Sequence, residues 1–179
     1  LFRSGAAGVK AGPCENINIQ DNTVYHAHGG FVIGSEFSGG MKNIVVRNNT
    51  FQGTDAGLRF KSAVKRGGKS ENIYIDHIYM TDITGDAITF ETTYFDNHVG
   101  AKQQAASVKL EFLPDFQDIH ISNVYVRGCK NGIVAHGAEG MIHDITIKDS
   151  NIFYNKNAKD IDAACKITLE NVNFSTFAK

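Results

Sequence analysis

Asn43-Ile44-Val45-Val46-Arg47-Asn48-Asn49-Thr50-Phe51 opens on an asparagine, alternates β-branched residues, then passes through a polar pair into a second short run. The same shape recurs along the chain, at Asn16-Ile17-Asn18-Ile19, Asn72-Ile73-Tyr74-Ile75, Asp118-Ile119-His120-Ile121, Asp144-Ile145-Thr146-Ile147 and Lys166-Ile167-Thr168-Leu169. Polar pairs follow most copies, among them Asp21-Asn22, Asp76-His77 and Asp149-Ser150. Counted from the first isoleucine of each copy, the spacings are 27, 29, 46, 26 and 22 residues. Alternation of period two in β-branched residues specifies strands, and no helical 3.6-residue periodicity persists. Units this short are too small for a propeller blade and lack the leucine ladder of a leucine-rich repeat. The expectation is an all-β parallel β-helix of about six coils, each laying its inward Ile, Val and Phe on the next. The long spacing of 46 reads as one coil plus an inserted loop at about 92–114, where solenoids often place a binding face.

A second set of strands can be put in register. Phe31-Val32-Ile33-Gly34 aligns with Leu58-Arg59-Phe60-Lys61, then with Ile88-Thr89-Phe90-Glu91 and Ile133-Val134-Ala135-His136. The first and third positions are apolar and face inward, so Arg59 and Lys61 project from one outer face, with Glu91 beside Lys61 on the next coil. Phe2-Arg3-Ser4 fits the register of Phe60-Lys61-Ser62, so the chain is expected to begin halfway through a coil, as the N-terminally truncated part of one domain spanning 1–179.

Composition narrows the function classes. Eighteen Lys and Arg against 19 Asp and Glu leave a net charge of −1, which excludes a dedicated electrostatic nucleic-acid binder. No run approaches the ~18 apolar residues of a membrane span, so neither a nucleic-acid nor a membrane partner is expected. Cys14, Cys129 and Cys165 are an odd number without C-x-x-C spacing, and read as buried thiols rather than a disulfide framework or zinc site. His26-Ala27-His28 lacks further ligands at a defensible spacing, so no metal is assigned, and no cofactor-binding loop or nucleophile elbow is visible. Arg59 and Lys61 form a plausible clamp for a carboxylate, the alternative being a solvated strand face partly neutralised by Glu91. His28 precedes Gly29-Gly30, where a ligand could approach the backbone, and is placed to hydrogen-bond a sugar or a catalytic carboxylate. Asp55, Asp82 and Asp86 lie in turns and read as local turn formers.

His28-Gly29-Gly30-Phe31-Val32-Ile33-Gly34-Ser35-Glu36 resembles the G-H-G-x-x-x-G-S segment of glycoside hydrolase family 28, the polygalacturonases, and Gly57-Leu58-Arg59-Phe60-Lys61-Ser62 resembles its R-I-K segment. Arg66-Gly67-Gly68 and the Gly-Ser-Glu ending at Glu36 are most similar to bacterial exo-acting members. The resemblance implies a right-handed parallel β-helix hydrolysing α-1,4-galacturonosyl linkages of homogalacturonan with inversion. It implies that His28 is the active-site histidine, that Arg59 and Lys61 bind the galacturonate carboxylate, and that Tyr94 lines the cleavage subsite. Gly29, Gly30 and Glu36 join them as substrate-binding positions. The implied partner is an acidic polysaccharide and the implied location extracellular or periplasmic. Ala27 departs from the first glycine of G-H-G. The family's catalytic aspartates, in N-T-D and D-D motifs, do not occur here in the matching place; Arg3-Ser4-Gly5 resembles the Lys-Ser-Gly that ends the strand after D-D, so that pair is expected a few residues before Leu1. Rhamnogalacturonan or xylogalacturonan hydrolysis, a noncatalytic polysaccharide-binding β-helix and a Ca²⁺-dependent pectate lyase are the alternatives.

Overall fold

The computed structural model describes residues 2–4, 12–64, 66–92 and 113–177. Its elements are β1 (Phe2–Ser4), β2 (Cys14–Gln20), β3 (Thr23–Tyr25), β4 (Phe31–Phe37), β5 (Met41–Gln52), β6 (Leu58–Lys61), β7 (Lys69–Thr81), β8 (Asp86–Glu91), β9 (Asp115–Phe116), β10 (Ile119–His136), β11 (Ile145–Ile161) and β12 (Ile167–Thr176). Every strand pairing among the described residues is parallel, and the sheet curls into a parallel β-helix. The inserted loop expected at 92–114 falls almost wholly outside the described residues, and Tyr94 lies in that part.

The repeat isoleucines stack as expected. Ile17 pairs with Ile44, Ile44 with Ile73, Ile73 with Ile119, Ile119 with Ile145 and Ile145 with Ile167. The Phe31 row is in the expected register throughout, with Val32 opposite Arg59, Arg59 opposite Thr89 and Thr89 opposite Val134. Two readings need correction. The Phe31 row follows a further short run, Thr23–Tyr25 opposite Thr50–Gln52, so it is the third run of the coil rather than the second. Phe2 pairs with Ile33 as aligned, but the register then slips and Ser4 meets Phe37 instead of Ser35.

Bends between the runs explain the polar residues of the repeat. Asn16, Asn43, Asn72, Asp118 and Asp144, each just before its isoleucine, have φ between 52° and 59°. Asp21, Asn48, His77, Asn123, Asp149 and Asn171 form a second left-handed column. Asn and Asp tolerate this conformation because their short polar side chains bond locally. Here they also bond between coils, Asn43 Nδ2 donating to Asn16 Oδ1 at 3.0 Å and Asn72 Nδ2 to Asn43 Oδ1 at 2.6 Å. Inside, Phe60 and Phe90 stack 4.5 Å apart and 6° from parallel, while Ile33, Leu58, Ile88 and Ile133 are fully buried. Removing such side chains from water is worth roughly 1.5–3 kcal/mol each. Cys129 and Cys165 are buried thiols, and burial pushes Cys129 up to about 12; Cys14 is half-buried.

Candidate functional site

The third face carries the charged side chains singled out above. β4 and β6 lie side by side, so Arg59 stands beside Val32 and Lys61 beside Gly34, whose small size leaves room. A Cβ on Gly34, at φ +97°, would sit 1.8 Å from the Lys61 carbonyl oxygen. Arg59 and Lys61 occupy alternate positions of one four-residue strand and so share a face. Lys61 is outward by register yet only 8% exposed, and the Arg59 side chain is 16% exposed. Neighbouring coils therefore pack along the stems of both cations, a setting in which a hydrogen-bonded charge is less screened by water than on an open strand.

His28 sits in the turn leading into β4, and the next coil repeats that turn beneath it. The Asp55 amide donates to the Ala27 carbonyl at 3.0 Å, and the Gly30 amide to the Ala56 carbonyl at 3.0 Å. This stacking brings His28 Nδ1 to 2.8 Å from Asp55 Oδ2. On the other side of the ring, Arg59 Nη1 lies 3.0 Å from His28 Nε2. A guanidinium has only donors, so Nε2 accepts, Nδ1 carries the hydrogen, and that hydrogen goes to Asp55. Thr84 on the following coil donates to Asp55 Oδ1 at 3.3 Å. The His28 hydrogen bond holds the Asp55 carboxyl below its ordinary range, against a smaller opposing effect of desolvation. Glu91 completes the line, its Oε2 3.6 Å from Arg59 Nη2. Asp55, His28, Arg59 and Glu91 thus form a continuous chain of contacts.

Asp55 is the residue the sequence reading missed, because an aspartate in a turn is commonly a local turn former. Its contacts run instead to adjacent coils. The signal was present in the repeat: Asp55 follows His28 by 27 residues, the interval that separates Ile17 from Ile44. His26 and His28 have different neighbours, since His26 lies over Gly53, where an added Cβ would come within 2.6 Å of its Nδ1. Gly29 and Gly30 have a packing role of their own: a Cβ would meet Val32 at 2.4 Å and the Phe51 ring at 2.3 Å. Glu36 is a half-buried residue on β4, and Arg66 crosses from the following coil to bond the neighbouring Ser35 hydroxyl.

Known proteins are similar to this chain in sequence and in fold. A polygalacturonase of Ralstonia solanacearum is 33% identical over 132 residues, 72% of this chain and 22% of the relative. An exo-poly-alpha-D-galacturonosidase of Dickeya chrysanthemi is 29% identical over 123 residues, 69% of this chain and 20% of the relative. The crystal structure of a hyperthermoactive exopolygalacturonase from Thermotoga maritima superposes with a TM-score of 0.81 at 31% identity, over 96% of this chain and 37% of that one. The Yersinia enterocolitica family 28 exopolygalacturonase shares the fold at a TM-score of 0.59 and 19% identity, over 95% of this chain and 33% of that one. This chain therefore spans well under half the length of these relatives. The sequence model of the glycosyl hydrolases family 28 matches residues 6–176, nearly the whole chain, and the chain belongs to that family.

Proposed function

We propose that the chain supplies the uronate-binding face and active-site histidine of a polygalacturonase that hydrolyses α-1,4-galacturonosyl linkages in homogalacturonan with inversion, acting from a chain end. The observation that carries this reading is the pairing of Arg59 and Lys61 on one face of β6, with Arg59 in contact with His28. A planar fork and a point charge suit a carboxylate on every sugar of the substrate, which favours a uronic acid polymer over a neutral one. End-directed action is inferred from the exo-acting relatives in Dickeya chrysanthemi and Thermotoga maritima. In this reading Tyr94 lines the cleavage subsite from the inserted loop at about 92–114 of a single β-helix domain. Glu36, Gly29 and Gly30 border the sugar, and the size of the polymer places the enzyme outside the cytoplasm. Inversion uses two carboxyl groups about 6.5–9.5 Å apart, with a water between one of them and the sugar. The N-T-D and D-D aspartates of the family fill those roles, and this sequence contains neither motif in the matching position.

The test is calorimetric binding of trigalacturonate to the 179-residue chain and to its Arg59→Ala and Lys61→Ala variants. Loss of a charge-assisted contact from a partly desolvated site costs roughly 1.5–3 kcal/mol, so affinity should fall about 10- to 150-fold in each variant. Full methyl esterification of the trimer should weaken binding to the parent chain similarly. Equal affinity in all three proteins, with unchanged circular dichroism, would overturn the carboxylate clamp.

A further inference from the structure

We infer that Arg59 is shared between His28 and the incoming carboxylate, so that uronate binding is coupled to uptake of a proton by His28, with Asp55 and Glu91 as positioning residues. The inference rests on the function proposed above and adds to it a coupling between substrate and proton.

The geometry supplies each part. With Arg59 Nη1 at 3.0 Å, the Nε2 lone pair of His28 is occupied by a donor that is itself positive. That one lone pair cannot hold a proton and the guanidinium donor together. Asp55 Oδ2, at 2.8 Å, accepts from Nδ1 on the opposite side of the ring. The ring therefore stands between a carboxylate and a guanidinium. Asp55 faces the ring from the turn of the next coil, Arg59 faces it from β6, and Glu91 on β8 reaches Arg59 rather than the ring. Glu91 lies 3.6 Å from Nη2, so one edge of the guanidinium already points to a carboxylate while the other rests on the histidine.

A uronate carboxylate binding at Arg59 competes for the Nη1 donor and neutralises the charge. Nε2 is then free to accept a proton from solvent, while the hydrogen on Nδ1 stays there, donated to Asp55. No covalent bond of the sugar changes, and the balance is one proton moved from buffer to ring for each fully coupled event. The His28 and Asp55 side chains are 69% and 61% exposed, so solvent reaches the ring and screening keeps the coupling partial. The outcome is a histidine that takes up part of a proton as the substrate's own carboxylate settles on Arg59.

Calorimetric titration of trigalacturonate into the 179-residue chain at pH 6.5, in buffers of different ionisation enthalpy, reads the protons taken up. The expected slope corresponds to uptake of a fraction of one proton. Affinity should be about three- to tenfold tighter at pH 5.5 than at pH 8.0, a range in which carboxyl groups of ordinary acidity stay ionised. His28→Ala should abolish the slope. Asp55→Asn should reduce it, because Asn still accepts from Nδ1 but brings no charge; a purely scaffolding Asp55 would leave the slope per bound ligand unchanged. Normal binding with zero slope in the parent chain overturns the inference and leaves the proposed function standing. Absence of binding in every buffer overturns both. A readout without ligand is ¹⁵N NMR of the neutral ring, where the Nδ1–H tautomer is expected and an Nε2–H tautomer would overturn the shared-arginine geometry.

Discussion

Asp76 shows how a single exposed-looking carboxylate is held by neighbouring coils. Ser122 Oγ and Asn123 Nδ2 each donate to its Oδ1 at 2.7 Å, and His77 Nδ1 lies 2.6 Å from Oδ2. Burial alone would raise its pKa, but the three hydrogen bonds outweigh burial and lower the carboxyl to about 2 from 3.8. The folded value lies below the unfolded one, so the contribution to stability is complete above the unfolded pKa and is lost as pH falls toward 2. With the side chain 39% exposed, screening reduces that contribution to about 1 kcal/mol. Asp76→Asn should accordingly lower the Tm by about 2–4 °C at pH 6, and the difference should close near pH 2 in thermal melts. Equal melting temperatures at both pH values would show that these hydrogen bonds add nothing net. Asp55 is held by the same kind of contact between coils, and differs in that its partner His28 also meets Arg59.

At the scale of the strand, the left-handed bends matter more than the strands' own propensities. Each coil turns where a residue takes positive φ, and the asparagines there serve both conformation and ladder. Asn43 has φ 55°, donates to Asn16 and accepts from Asn72. Asn43→Ala forces a residue with a Cβ and no compensating side-chain bond into that conformation and removes two hydrogen bonds, at a cost of about 2 kcal/mol. Asn43→Gly keeps the conformation accessible and should cost about half as much. Urea unfolding of the two variants measures the difference, and equal loss in both would mean that the ladder, not the backbone angle, sets the cost. The same bends explain why β10 runs for 18 residues: it pairs with β7 over Ile119–Arg127 and with β8 over Asn131–His136, so one strand joins two faces of the coil. The site depends on that construction, because His28 leads into β4 while Arg59 is set by β6.

At the scale of the molecule, the parallel stack puts a turn residue of one coil beside that of the next and so converts sequence distance into a line of charge. In the function proposed above the chain holds groups that bind and orient, while proton transfer at a glycosidic bond needs an acid and a base on opposite sides of the sugar. Arg59 is engaged with His28 and Glu91, and Asp55 with His28 and Thr84. The expected result for the folded 179-residue chain on polygalacturonate is therefore no release of reducing ends, even where trigalacturonate binds. Turnover above a His28→Ala control would require reassigning Glu36, Asp55 or Glu91 as proton donors. What the sequence determined by itself was the parallel stack, the register of the repeat isoleucines and of the Phe31 row from Phe31 onward, and the face shared by Arg59 and Lys61. Those follow from period-two alternation and from a repeat length that must superpose inward residues, both of which are local and readable. Only the tertiary structure decided the partner of Asp55, the contact of His28 with Arg59 and the near-complete burial of Lys61. Side-chain contacts between coils depend on which rotamers and turns meet across the strand spacing, and no one segment of sequence contains both halves of such a contact.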